Sequence, residues 1–271
     1  MGINNTKENK KYALVTGATG GLGKAFCMAL AQRGYSLVLT GRSQEKLRAL
    51  EETLCRDYAE IDIRSYAADL ADLESRNSFF ERVQSDGIRL SFLANVAGAD
   101  IQKALSEYTQ EKIAFQCRVN FEAAVSLCKF AIKNKETSLQ IVNVSSVSGI
   151  YSMPYFAIYS ATKAALTSFS VSLREEMKGK GVKVTAILPG AMPTRDDIKE
   201  QIKGQGIWGK MAAKTPISVA EASIKAVAKN KRKCIVGFWN KVMRISTWWI
   251  PDSLRLKFIA KRWSKISKDA F

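Results

Sequence analysis

The chain contains no histidine, which excludes imidazole acid–base chemistry and histidine-ligated metal sites, and no metal is expected. Cysteine is sparse and unpatterned. Cys27, Cys55, Cys117, Cys128 and Cys234 are odd in number and form no Cys-x-x-Cys pair. This excludes a disulfide framework and reads as reduced, mostly buried thiols in a cytoplasmic compartment. No apolar run approaches the roughly eighteen residues that a spanning helix needs, and no secretory signal is visible. Internal repeats and low-complexity linkers are absent as well. At 271 residues and 30.0 kDa the chain suits an α/β domain with an ample core.

What is present begins with alternation. Tyr12–Thr16, Ser36–Thr40, Leu90–Asn95, Leu139–Val144 and Val182–Leu188 are short apolar runs with helical stretches between them. That pattern predicts buried parallel strands. The first strand runs into Thr16-Gly17-Ala18-Thr19-Gly20-Gly21-Leu22-Gly23 and then into helix-forming Lys24–Ala31. A strand, a glycine-rich turn and a helix N-terminus together hold a pyrophosphate: the glycines allow close backbone approach, and the helix offers free N–H groups and the positive end of its dipole. The spacing Gly-x-x-x-Gly-x-Gly makes Gly17, Thr19, Gly20, Gly21, Leu22 and Gly23 the candidate cofactor loop. Beyond the second strand, where a carboxylate would hold a free ribose 2′-hydroxyl, no acid lies between Ser36 and Gln44. Arg42 stands there instead, and its guanidinium suits a 2′-phosphate, so NADP is expected over NAD.

Tyr159 and Lys163 are four residues apart in Tyr-Ser-Ala-Thr-Lys, with Ser146 thirteen residues upstream. On a helix the phenol and the ammonium share a face. A lysine beside a tyrosine favours the phenolate, as a general acid or base requires. A serine from a neighbouring strand end could hydrogen-bond the reacting oxygen.

Together these residues resemble the short-chain dehydrogenase/reductase family over roughly residues 12 to 237. The resemblance implies a Rossmann-like doubly wound parallel sheet flanked by helices. It implies Ser146, Tyr159, Lys163 and Asn120 as the catalytic set, with Asn120 helping to hold a proton-relay water and Lys163 also binding the nicotinamide ribose. Asp69-Leu70 resembles the adenine contact. Asn95-Val96-Ala97-Gly98 is similar to an Asn-Asn-Ala-Gly element that steadies the central sheet, Val96 departing from it. Pro189-Gly190-Ala191-Met192-Pro193-Thr194 resembles the loop that meets the nicotinamide carboxamide. Thr162 stands where serine is commoner. The implied activity is interconversion of a ketone or aldehyde with its alcohol, most simply as a reductase. The substrate-facing segment would be about 192–215, where Ile207, Trp208 and Met211 suggest a lipophilic substrate. A homo-oligomer is expected. Two rivals stay open: a catalytically idle NADP-binding interaction or sensor protein at a membrane surface, and an NAD-dependent dehydrogenase running toward oxidation.

The formal net charge is +17, and its placement is uneven. Residues 229–268 hold twelve Lys or Arg and one acid, Asp252, together with Trp239, Trp248, Trp249 and Trp263. Phe238, Val242, Ile245 and Trp249 fall at helical spacing. After Pro251 a second helix would gather Leu256, Ile259, Trp263 and Ile266 opposite Lys257, Lys261, Lys265 and Lys268, with Leu254 and Phe258 drifting to the basic side. A boundary is therefore placed between a 1–237 domain and a basic helical extension over 238–271. Two readings stay open for the extension: a helix layer at an anionic membrane interface, or packing on the domain or across a subunit interface. Nucleic acid is not expected, because tryptophans at apolar spacing argue against it.

Overall fold

Seven strands pair in parallel in the order β3-β2-β1-β4-β5-β6-β7. They are β1 (Tyr12–Thr16), β2 (Ser36–Gly41), β3 (Ile63–Ala67), β4 (Leu90–Asn95), β5 (Lys135–Val144), β6 (Val182–Leu188) and β7 (Lys233–Ile235). The computed structural model describes residues 10–193 and 213–264. The apolar runs are continuous because both sheet faces are covered. Successive residues alternate between two cores: Ala13, Val15, Leu37, Leu39 and Phe92 join one, and Leu14, Val38 and Leu93 the other. The first core takes α1 (Gly21–Ala31), α2 (Gln44–Asp57) and α7 (Pro216–Ala228). The second takes α3 (Leu73–Ser85), α5 (Ala123–Lys133) and α6 (Ala157–Glu176). Short α4 (Gln110–Cys117) continues into α5 through a π-helical turn, Arg118–Glu122.

The strand order reverses between β1 and β4, and a crevice at that switch point is where such a sheet binds ligands. The residues around it are held by buried polar bonds. Asn95 at the end of β4 donates to Asn143 Oδ1 on β5 (2.8 Å), and Asn143 donates to Ser170 Oγ on α6 (2.9 Å). Arg76 of α3, fully buried, donates to the Leu70 carbonyl (2.7 Å) and pairs with Glu122 in the π turn.

Beyond β7 the chain forms α8 (Phe238–Ser246), a 3₁₀ turn (Thr247–Trp249) and α9 (Asp252–Trp263). Asn240 is the buried residue of α8 and anchors it by donating to the Val236 carbonyl at 2.7 Å. The turn and α9 lie on the loop that follows β5. Tyr151 bonds Thr247 (2.8 Å), the Arg255 guanidinium sits 5.3 Å over the Tyr151 ring, and Trp263 lies nearly parallel to Phe156. Among the described residues, no helix is long and apolar enough to cross a membrane.

Three expectations need correction. β5 begins at Lys135 rather than Leu139, and its polar start is half-buried or exposed at the lower edge of the sheet. β3 and β7 were not expected: Ile-Arg-Ser-Tyr-Ala carries too few apolar residues, because edge-side β3 is only partly covered, and β7 is three residues long. Only Cys27 and Cys128 are buried, whereas Cys55 and Cys117 are exposed, because each of the latter sits on the outer side of its helix.

Arg76 offers a direct test of the polar framework. Arg76→Met leaves the Leu70 carbonyl and Glu122 without their partner. Because Glu122 is half exposed, the expected loss is about 1–3 kcal/mol. Urea denaturation measures it, and an unchanged midpoint would show that the pair contributes nothing.

Candidate active site

The glycine loop is built by close approach. Gly17 adopts φ +61°, and a Cβ there would meet the Ala97 backbone at 3.1 Å. A Cβ on Gly23 would lie 2.0 Å from the Gly17 carbonyl oxygen, so any larger residue forces the turn open. Thr16 closes the other side: its hydroxyl accepts from the backbone N–H groups of Val96 (2.9 Å) and Ala97 (3.0 Å), joining the ends of β1 and β4. Helices α2 and α3 are capped by Ser43 and Asp72, but Gly20 gives α1 no side-chain cap, and its first turn holds no acid. Thr19, Gly20 and Gly21 remain accessible at this helix end. This cradle fits a pyrophosphate. Leu22 contributes backbone only, since its side chain belongs to the core.

Arg42 leaves the end of β2 exposed, its guanidinium 5.8 Å over the Phe115 ring of α4. Asp69 at the end of β3 is exposed and accepts from the Ala71 N–H (2.9 Å). Asp69 and Phe115 border a cavity of about 460 Å³. Leu70, expected at the adenine, packs its side chain into the second core. The Asn95 amide is buried against Ala124, Cys128 and Asn143, so its side chain steadies the sheet. The Pro189 carbonyl accepts from Val147 N–H (3.0 Å), and Gly190 admits the Asn240 amide, which would lie 2.7 Å from a Cβ there. Met192 packs against the first core. Thr194, Ile207, Trp208 and Met211 lie outside the described residues.

The reactive group forms where α6 meets β5. Lys163 is buried, donates to the Val144 carbonyl at 2.9 Å, and places Nζ 5.7 Å from the Tyr159 ring centre. Burial pulls the ammonium down to about 8, the charge of Asp100 opposing the shift. Gly98 makes room, since a Cβ would meet Asn120 Oδ1 at 3.0 Å and Lys163 Nζ at 3.3 Å. Ser146 caps the turn Val147–Gly149, accepting from Ser148 N–H at 3.1 Å. That turn is pressed onto α6 by Gly149, whose Cβ would lie 2.7 Å from the Lys163 backbone. Ser145 is structural, donating to the Lys163 carbonyl at 2.7 Å.

Asn120 is buried between the loop after β4 and α6. Its amide oxygen accepts from Ala99 N–H (2.7 Å), while its N–H groups go to the Ala99 carbonyl (2.9 Å) and Thr162 Oγ1 (3.2 Å). With both donors used, the side chain clamps the strand-end loop to α6.

Gly149, Phe156 and Trp263 were missed. Phe156 stacks on Tyr159 with centres 4.2 Å apart, and Trp263 lies nearly parallel to Phe156 at 6.0 Å. Phe156 stands three residues before the tyrosine, a local signal; Trp263 is a hundred positions away and gave none. Ala157 and Ile158, immediately before Tyr159, line an apolar cavity of about 290 Å³ with Leu105, Tyr108, Pro154 and Ala260.

A glycine cradle at the switch point of a parallel sheet, beside a Tyr/Lys helix, defines a nucleotide-dependent oxidoreductase. Residues 11–203 match the short chain dehydrogenase family, and the chain belongs to it. It is similar to the 3-oxoacyl-[acyl-carrier-protein] reductase of Bos taurus, 30% identical over 201 residues, 73% of this chain and 83% of that one. Its structure is similar to that of a 7β-hydroxysteroid dehydrogenase, with TM-score 0.80 and 25% identity over 92% of this chain and 96% of the other. It is also similar to L-sorbose reductase from Gluconobacter frateurii complexed with NADPH and L-sorbose, with TM-score 0.75 and 25% identity over 84% and 95%.

The buried lysine makes a pH-dependent prediction. Below pH about 8 the native state carries the full penalty of a buried ammonium. Between about 8 and the unfolded value of 10.5, the unfolded chain holds more protons, so this group makes stability rise with pH. Relative to Lys163→Met, the wild type should therefore gain stability across that window and show a constant difference below it. Paired denaturation curves at each pH measure this; a difference independent of pH would place the amine in water.

Proposed function

We propose that the chain is an NADP(H)-dependent reductase of an apolar ketone or aldehyde, with Ser146, Tyr159 and Lys163 as its catalytic residues. The observation that carries this reading is the buried Lys163 ammonium beneath the Tyr159 ring, at the same sheet edge as the glycine cradle. The α1 N-terminus would hold the pyrophosphate, and Arg42 a 2′-phosphate near Asp69. An NADPH complex in the similar sorbose reductase supports that cofactor. Bound NADPH supplies a hydride to the carbonyl carbon. Tyr159 gives its phenolic proton to the carbonyl oxygen, completing the alcohol. Ser146 donates a hydrogen bond to the same oxygen as negative charge develops there. Lys163, charged below pH about 8, stabilises the phenolate left behind. Asn120 and Thr162 act as positioning residues.

The apolar walls of the cavity beside Tyr159 favour a lipophilic substrate. Relatives named for hydroxysteroid and 3-oxoacyl chemistry support that class. The helices after Gly237 are read as a basic extension that roofs this cavity through Ala260.

Two measurements test the reading. Tyr159→Phe removes the proton and keeps the ring, so turnover of a lipophilic ketone should fall by roughly 10²–10⁴-fold with NADPH affinity little changed. Wild-type turnover in that variant, or no NADPH oxidation across sterol, acyl-ketone and quinone substrates, would overturn the assignment. Arg42→Ala should erase most of a preference for NADPH over NADH, on the order of 1–3 kcal/mol for a charge-assisted contact. Equal affinities in the unmodified protein would refute that preference.

A further inference from the structure

Seven of the eleven large apolar side chains that are exposed among the described residues fall between Phe238 and Phe258, so they form a patch rather than a scatter. Most of the stripe with helical spacing on α8 points outward: Phe238 is 68% exposed and Ile245 66%, with Trp249 at 78% in the turn beyond, while Val242 is half-buried. The face turned to the domain carries Asn240 and Thr247 instead. On α9, half-buried Leu256, Ile259 and Trp263 face the domain, while Leu254 and Phe258 stand exposed beside Lys257 and Lys261. Lys241 and Arg244 are exposed on α8. Asp252 is the acid of this surface, and it is paired with Arg255 at 2.6 Å.

We propose that this outer face of α8, the Thr247–Trp249 turn and α9 docks on an anionic lipid bilayer. Phe238, Ile245, Trp249 and Phe258 enter the headgroup region while the four cations meet lipid phosphates. A second copy of the chain fits poorly, because a two-fold contact would press this basic patch against itself. A nucleic acid would leave the protruding aromatic and aliphatic side chains in water. The same α9 lines the apolar cavity with Ala260 and backs Phe156 and Tyr159 with Trp263. Docking therefore sets the cavity at the bilayer surface. The consequence that substrate arrives from the membrane rests on the proposed reductase activity; the docking itself does not.

The test uses the full chain and needs no turnover. The protein is sedimented with vesicles of phosphatidylcholine, alone or mixed with phosphatidylglycerol, at low and high salt. Binding is expected on the anionic vesicles at low salt, with release by salt. Two variants are compared, Ile245→Ser/Trp249→Ser/Phe258→Ser and Lys241→Gln/Arg244→Gln/Lys257→Gln/Lys261→Gln. Each should weaken binding by roughly tenfold or more, since a basic residue at such a surface contributes roughly fivefold. Melting temperature should stay at the wild-type value. If the apolar variant does not fold, the charge variant decides alone, because it changes only exposed side chains. The proposal is overturned if the wild type stays in solution with anionic vesicles, binds neutral ones equally, or binds no better than the variants. It is also overturned if the apolar variant converts a dimer to a monomer while no form binds vesicles. Loss of NADPH turnover with vesicle binding intact would count against the reductase reading alone.

Discussion

A charged amine kept out of water at the end of β5 constrains everything around it. Lys163 reaches the Val144 carbonyl only if α6 lies close against that strand, and three further contacts hold it there: Ser145 donates to the Lys163 carbonyl, Thr167 of α6 donates to Ser145 Oγ, and Gly149 brings its backbone onto α6. Each is a small or hydroxyl-bearing residue because a larger side chain would lift the helix away. Lys163 is thus held through its backbone as well as its ammonium. That is the rigidity proton transfer at a neighbouring phenol requires.

The same requirement reaches across the sheet. Gly98 lacks a side chain where Asn120 and Lys163 need the space, and Asn120 ties the Ala99 backbone to Thr162 on α6. Asn120 sits in the π turn, where an extra residue per turn shifts the side chains relative to α4. Glu122 in that turn is gripped by buried Arg76, so α3 braces the segment that carries Asn120. On the other side of the switch point, Thr16 binds the β4 loop that Gly17 also touches. The glycine cradle and the Tyr159/Lys163 pair are therefore two ends of one bonded framework.

The C-terminal helices attach to this framework by a few specific contacts and leave a large apolar face outward. Arg255 illustrates the attachment, bonding Asp252 and the Thr247 carbonyl while covering the Tyr151 ring. Tyr151 and Phe156 belong to the segment between Ser146 and Tyr159, so the helices bear on the stretch that links these two side chains.

Local chemistry decided much of this protein before folding. The apolar runs determined five of the strands, because a strand covered on both faces needs no polar alternation. Glycines at close spacing between a strand and a helix defined the cradle, and four-residue spacing put Tyr159 and Lys163 on one helix face. Edge strands β3 and β7 stayed hidden because partial covering and short length remove the apolar signal. Tertiary structure alone assigned the buried amides: Asn95 and Asn120 look alike in sequence, yet what an amide bonds depends on which distant backbone lies within 3 Å of it. It also chose the outward direction of the Phe238, Ile245 and Trp249 stripe. Periodicity shows that a helix has an apolar face, but only packing against a particular neighbour decides whether that face meets protein or solvent.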